Sequence, residues 1–397
     1  MEKTSMERVV CLFYLYEPVA SLSALAASQT ALGTALGLKG RVRVAKEGIN
    51  GTVCGSAAAI AAYCAELTAA FVAPIDFKLG PDHGGDGAFA ALRVREVEQI
   101  CTLGAEVDLA LRGEHLAPEQ WHRMLSGDDG TSPSASSLVV LDVRNRYESD
   151  IGRFRGAIRP DIRKFSDLTT WLDTNAASLQ GKHVAMYCTG GIRCETASAF
   201  INSSCAPARV YQLAGGIHRY LESFDDGGHF EGKNFVFDQR GSVAATAASS
   251  SSSSGGASSI VGRCTVCAAP HDSYRYAEEG GRRCRICRQL VLICDACVAV
   301  ASTLIFCDSH TAWRDDVAAG ASGSGLAKRR RELQGTLAAT RGRKLKRQRQ
   351  RVKKQIALVD AVAKEATLLG RFRKDEPGEN ESFLHLSGAE AAEAVGR

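Results

Sequence analysis

Residues 9–16, Val-Val-Cys-Leu-Phe-Tyr-Leu-Tyr, are an unbroken apolar and aromatic run, which predicts a strand buried in a sheet. Pro18 ends it, and residues 21–38, rich in Ala and Leu at helical spacing, predict a helix. Residues 41–46 alternate polar and apolar, the pattern of a strand with one dry face. A turn over 47–51, a strand over 51–55 and a second helix over 57–71 follow, and a last strand falls within 76–79 or 91–97. The order β-α-β-β-α-β predicts a ferredoxin-like module over residues 1–102.

The pattern then changes. Residues 103–137 form a connecting segment, with a helix starting at Pro118 and a Gly/Ser/Asp-rich loop over 126–137. Between 138 and 243, short apolar strands (138–141, 184–187, 210–213) alternate with helices (168–179, 194–202, 218–224). Short apolar strands separated by helices predict an α/β domain, a parallel sheet covered on both faces. Residues 244–262 are almost all Ala, Ser and Gly, a flexible linker. A cysteine-rich module over 263–316 follows, then a basic, partly helical or disordered tail over 317–397 in which Leu345, Val352, Ile356, Val359 and Val362 mark a thin apolar stripe.

One stretch carries the chemistry. The strand 184–187 stops at Cys188, turns through Thr189, Gly190 and Gly191, and re-emerges as a helix at Ile192, Arg193 and Cys194. Loop amides curled round the sulfur, a helix N-terminus and the Arg193 charge all favour thiolate, the reactive form. Cys188 is the expected nucleophile. Asp142 ends a neighbouring strand, and in such a sheet ligands gather at the carboxyl ends of strands; its carboxylate is expected either to orient Arg144 or Arg193, or to cap loop amides. Cys194 is expected to pack at the helix start or to act as a resolving thiol.

Residues 187–198 resemble the active loop of rhodanese-like domains, and more closely the subgroup that acts as tRNA uridine(34) hydroxylases. Further segments fit that subgroup in order and spacing: 47–52 (Glu-Gly-Ile-Asn-Gly-Thr), 141–145 (Leu-Asp-Val-Arg-Asn), 151–158 (Ile-Gly-Arg-Phe-Arg-Gly-Ala-Ile), 210–213 with 215–217, and 234–238 (Asn-Phe-Val-Phe-Asp). The resemblance covers roughly residues 9–240. It implies an acylphosphatase-like module ahead of a rhodanese-like domain, tRNA as partner, molecular oxygen as co-substrate and hydroxylation of the wobble uridine at C5, with Cys188 essential. Two alternatives stay open: a sulfurtransferase working through a Cys188 persulfide, and a non-enzymatic zinc-containing RNA-binding adaptor. In the tRNA context, Arg41, Arg43 and Lys46, with Lys39 and Arg93 adding to them, become candidate phosphate contacts.

Cysteine spacing adds a metal. Seven of the 14 cysteines lie between Cys264 and Cys307. Cys264-x-x-Cys267, Cys284-x-x-Cys287, Cys294-x-x-Cys297 and Cys307-x-x-His310 supply ligands for two tetrahedral, structural Zn²⁺ ions. Spacing leaves sequential and crossed pairing equally open.

Charge is local. The chain has a net charge of +5, yet residues 328–354 hold thirteen Lys and Arg against the single Glu332, so the remainder is net acidic. Lys328, Arg329, Arg330, Arg331, Arg343, Lys344, Lys346 and Arg347 are therefore candidate RNA contacts, and the same run suits nuclear import. At 397 residues the chain predicts two or three domains, and no apolar run is long enough to cross a bilayer. Residues 1–8 lack a signal-peptide or transit pattern. A cytoplasmic protein with no membrane contact is the expectation, with the nucleus permitted by the basic run.

Overall fold

The structure, a computed structural model, describes residues 8–82, 88–127, 133–134, 136–245, 260–274, 282–301, 305–311, 324–339 and most of 349–360. It divides into two compact units, residues 1–259 and 260–397.

The first unit opens with β1 (Arg8–Tyr16), α1 (Leu22–Ala35), β2 (Lys39–Ala45), β3 (Gly48–Ser56), α2 (Ala57–Ala69), β4 (Lys78–Pro81) and β5 (Leu92–Glu96). Ser21 and Ser56 start the helices, their hydroxyls accepting from Ala24 N at 3.3 Å and Ala59 N at 3.2 Å. The strands form one sheet in the order β4-β1-β3-β2-β5. Its first four strands have the ferredoxin-like order, and both stretches considered for the last strand are strands, β5 being a fifth, parallel to β2. The turn expected over 47–51 is shorter: Ala45 pairs with Gly48, leaving Lys46 and Glu47 alone at the bend. Gly48 and Gly51 lie inside β3.

Period two assigns the faces. Cys11, Phe13 and Leu15 of β1, Val42 and Val44 of β2, and Ile49 and Val53 of β3 bury against Ile60, Tyr63 and Leu67 of α2. The alternate residues Leu12, Tyr14 and Tyr16 point to the other face, which has no helix of its own.

The rest of the unit contains β6 (Glu114–Leu116), α3 (Pro118–Ser126), β7 (Leu138–Asp142), α4 (Arg146–Ser149), β8 (Gly152–Phe154), α5 (Leu168–Leu179), β9 (His183–Tyr187), α6 (Ile192–Ser204), β10 (Arg209–Leu213), α7 (Gly216–Ser223), β11 (Phe230–Gly232), β12 (Asn234–Phe235) and β13 (Ser242–Val243). Strands β6-β10-β9-β7 make a wholly parallel sheet. Both faces of β9 are dry. Val184 and Met186 pack with Leu168, Leu172 and Ile201, while Ala185 and Tyr187 pack with Trp121, Ile217 and Tyr220, which is why this strand reads as a continuous apolar run. The edge strand β6 lies in the stretch expected only to connect; three residues are too few to show a period.

In the second unit, α8 (Asp295–Ala301) begins inside the third cysteine pair, just after Cys294, and α9 (Ser324–Ala339) begins the basic tail. The described residues of 349–360 are helical. Leu333, Leu337, Val352, Ile356 and Val359 pack with Ile286, Val291 and Phe306 around Cys284 and Cys307. The tail is thus anchored on the cysteine-rich module, with Arg330 paired to Asp360 at 2.6 Å and Arg349 donating to Leu337 O at 2.9 Å. Leu345 and Val362 of the expected stripe, and most of the Ser/Ala/Gly linker, lie outside the described residues. Truncating Leu333 to Ala should destabilise this packing by roughly 2–5 kcal/mol and expose the tail's many arginines and lysines. Limited trypsin digestion should then cleave the tail much faster than in the parent chain; equal rates would mean that packing does not hold it.

Candidate active site and metal centres

Cys188 leaves the carboxyl end of β9 and is completely buried. Its Sγ accepts from Gly191 N at 3.1 Å. Burial alone would favour the neutral thiol. It is outweighed by the Cys194 thiol, the Arg193 charge and the amides of Arg193 and Gly190, which together bring Cys188 down to about 5. Cys194 moves the other way: burial and the adjacent Cys188 charge push it well up, so it remains a thiol and donates. The loop rests on the N-terminus of α7, with Ile217 N donating to Cys188 O at 3.0 Å and His218 N to Thr189 O at 3.1 Å. Gly216 is needed at this contact, since it sits at φ +66° and a Cβ would lie 2.5 Å from Cys188 O.

Arg193 is fixed by a residue the sequence did not flag. Glu148 of α4 accepts from Arg193 Nη1 at 2.6 Å and Nη2 at 2.8 Å, and Thr189 Oγ1 lies 3.3 Å from Glu148 and 3.2 Å from Arg193. Glu148 also accepts from Asn145 N at 3.1 Å, the usual role of a glutamate three residues after a helix cap. That spacing was the available signal, and it points to capping rather than to the active loop.

Asp142 pairs with Arg144 and not with Arg193. Arg144 Nε and Nη2 donate at 2.9 and 2.7 Å, its amide at 3.0 Å, and Tyr187 Oη donates at 2.8 Å to the same carboxylate. Of the two orienting roles expected of Asp142, the structure has the Arg144 one together with the amide cap. This buried group braces β7 against β9 below the loop.

The loop has a roof. A Cβ on Gly190 would lie 2.8 Å from Leu12 Cδ2, and one on Gly191 2.8 Å from Tyr14 Oη. Tyr16 Oη is 3.5 Å from Ile192 O. Three same-face residues of β1 thus meet three consecutive loop residues. Tyr14 donates to Glu195 at 3.1 Å, and Glu195 takes His115 Nε2 at 2.8 Å and Arg112 at 3.5 Å. Burial raises the Glu195 carboxyl, but His115, Tyr14 and Arg112 hold it below the usual range. Beside Leu12, the buried Lys78 Nζ lies 2.6 Å from Asp76 and 5.3 Å from the Tyr14 ring. Cys101, on the connection between the two sheets, packs against the cluster that contains Cys188 and Cys194. None of these residues was singled out, because β1 looks buried on both faces in the sequence.

The cysteine pairs interleave. Cys264, Cys267, Cys294 and Cys297 converge in one group and Cys284, Cys287, Cys307 and His310 in another, the ligand atoms of each lying within 4.8 Å of one another. Pairing is therefore crossed, first with third and second with fourth. A tetrahedral Zn²⁺ with Zn–S of about 2.3 Å sets its sulfurs about 3.8 Å apart. Cys267 and Cys294 are 3.7 Å apart and Cys287 and Cys307 3.6 Å, while His310 Nδ1 lies 3.6 Å from Cys284 and 3.1 Å from Cys307. Each group fits the ion, and four protein ligands leave no position open for catalysis.

The candidate RNA contacts fall in three places. Arg41 and Arg43 are exposed on the roof face of β2, and Lys46 is exposed in the turn beyond it. On α9, Lys328, Arg330 and Arg331 are exposed, and Arg329 pairs with Glu332 at 2.9 Å. Arg343, Lys344, Lys346 and Arg347 lie outside the described residues.

Two measurements check this geometry. The ultraviolet thiolate absorbance lost on Cys188→Ser substitution should titrate with a midpoint near pH 5, the thiolate persisting above it; a midpoint at an ordinary thiol's value of about 8.5 would refute the cradle. Crossed pairing makes a second prediction: Cys284→Ser should lower bound metal from two ions to one per chain, and Cys284→Ser with Cys307→Ser should lower it no further. Loss of both ions from the double variant alone would point to sequential pairing.

Comparison with known proteins matches residues 8–100 to a family described as UPF0176 acylphosphatase like domain, 123–223 to Rhodanese-like domain, and 231–311 to Rhodanase C-terminal. Rhodanese-like domain-containing protein 6 of Arabidopsis thaliana is 39% identical over 72% of this chain, a match that spans 50% of the Arabidopsis protein. A protein named tRNA uridine(34) hydroxylase from Rhodococcus opacus is 35% identical over 72% of this chain and 96% of its own length. One of the same name from Brucella ovis is 39% identical over 59% of this chain and 74% of its own. With the acylphosphatase-like and rhodanese-like parts both matched and a relative aligned over nearly its full length, the chain belongs to the tRNA uridine(34) hydroxylase family.

Proposed function

We propose that this chain hydroxylates the wobble uridine of tRNA at C5 with molecular oxygen, that Cys188 is its essential residue with Arg193 as catalytic partner, and that Zn²⁺ fills both cysteine-rich groups. The observation that carries this reading is the roofed cysteine: Cys188 is fully buried in an amide cradle that favours its thiolate, beneath a module that supplies Tyr14 and Lys78 to the same place. A loop that only exchanged sulfur with small donors would need no such cover. The names of the relatives support the substrate. Thr189, Gly190, Gly191 and Ile192 shape the cradle, Asp142 braces it, and Cys194 stands in hydrogen-bonding contact with Cys188.

Electron balance gives Cys194 a place. Inserting one oxygen atom of O₂ into a C–H bond leaves the other to be reduced to water by two electrons and two protons. Oxidation of the Cys188 thiolate and the Cys194 thiol to a disulfide releases two electrons and one proton, and the second proton is the one Cys188 gave to solvent on ionising. Uridine, O₂ and two thiols then balance against hydroxyuridine, water and one disulfide. The tRNA is met in the cytoplasm, or in the nucleus if the basic tail directs import.

The sulfurtransferase alternative rests on the same amide cradle, which would hold a persulfide equally well. Mass spectrometry of nucleosides from tRNA incubated with the protein in air separates the two. A gain of one oxygen on uridine, absent in Cys188→Ser, is the expected result. Unchanged uridine together with thiosulfate consumption and a persulfide on Cys188 would overturn it.

A further inference from the structure

The face of the first sheet that roofs Cys188 continues past the roof. Cross-strand partners share a face, so the register defines two rows along it. One runs Lys78, Leu12, Thr52, Arg41, Arg93. The next runs Tyr14, Asn50, Arg43, Arg95. Both begin over the active loop, and both end in two arginines.

Those four arginines are exposed, and among the described residues none of them has a carboxylate partner. Arg41 lies directly opposite Arg93, and Arg43 directly opposite Arg95. Like charges in direct cross-strand register are destabilising, and a merely solvated face would relieve them with an acidic residue. Arg41 lies over the Phe89 ring at 5.5 Å, which seats its guanidinium beside the patch without neutralising it. With strands about 4.8 Å apart, the arginines lie roughly 10 and 14 Å from β1, and neighbours along one strand are about 6.7 Å apart. Guanidinium forks at that spacing suit successive phosphates of one nucleic-acid strand.

We infer that Arg41, Arg43, Arg93 and Arg95 form a phosphate-binding track for the RNA strand that carries the target base, and that the sheet sets the distance from this track to Cys188. The inference rests on the proposed RNA substrate. It adds Arg95 of β5 to the candidates Arg41, Arg43 and Arg93, and leaves out Lys46, which lies in the turn outside both rows.

The test uses the full-length zinc-loaded protein and an unmodified tRNA transcript, with affinity followed against salt. The double variants Arg41→Gln/Arg93→Gln and Arg43→Gln/Arg95→Gln should each reduce the slope of log K against log salt by about 1.4, or 0.7 per charge. Arg155→Gln/Arg263→Gln, an equal loss of charge elsewhere, should leave the slope unchanged. Because opposed like charges are removed, melting temperatures of the track variants should not fall. An unchanged slope in the track variants, or an equal change in the control, would overturn the track. If the parent chain binds through the track yet leaves uridine unaltered, the functional reading fails and the track stands. If uridine is hydroxylated with no slope change, the reverse holds.

Discussion

The bidentate pair between Arg193 and Glu148 is the constraint on which the site depends. Both charges are buried, and either one alone would be strongly destabilising in that position. The pair ties α4, which follows β7, to the first turn of α6, which follows β9, so the loop between them has one place to be. It also changes the electrostatics. Arg193 has its own carboxylate, so the Cys188 thiolate is a second negative charge rather than the partner of a free cation. Amides, the Cys194 thiol and the shared Arg193 charge divide the task of stabilising it. A thiolate held in this way by several weak donors stays reactive, because no single partner neutralises it.

The roof explains why two folds occur in one chain. A four-stranded ferredoxin-like sheet has helices on one face only, and here Leu12, Tyr14 and Tyr16 on the uncovered face close over the rhodanese-like loop. The same strand therefore belongs to two interiors. Glu195 fastens the arrangement by joining Tyr14 of the first sheet, His115 of the connecting strand and α6 behind Cys188.

That double duty also marks where the sequence is opaque. Elements with one dry face or clear caps were legible: α1 and α2 from their composition, β2 from its alternation, and the loop from Cys188 through Arg193 from its glycines. The eight residues of the two cysteine-rich groups were legible from spacing alone. Strand β1 was read as a strand, but its period was hidden because both faces are apolar, so Tyr14 could not be assigned to the site. Glu148 was masked by its role as a helix cap, and β6 by its length. Crossed metal pairing was beyond reach for a simpler reason: every pair of Cys-x-x-Cys knuckles offers the same four donors.

That equivalence matters while the chain is being made. As the polypeptide leaves the ribosome, the first four thiols of the module to emerge are Cys264, Cys267, Cys284 and Cys287, a complete ligand set for the wrong site. The native partners of Cys264 and Cys267 arrive only with Cys294 and Cys297. An early metal ion can thus be captured in a non-native knot, which must open before the tail helices dock on Ile286 and Phe306. For a metal-loaded module, the rate of thiolate exchange on the ion would then compete with the rate of chain synthesis.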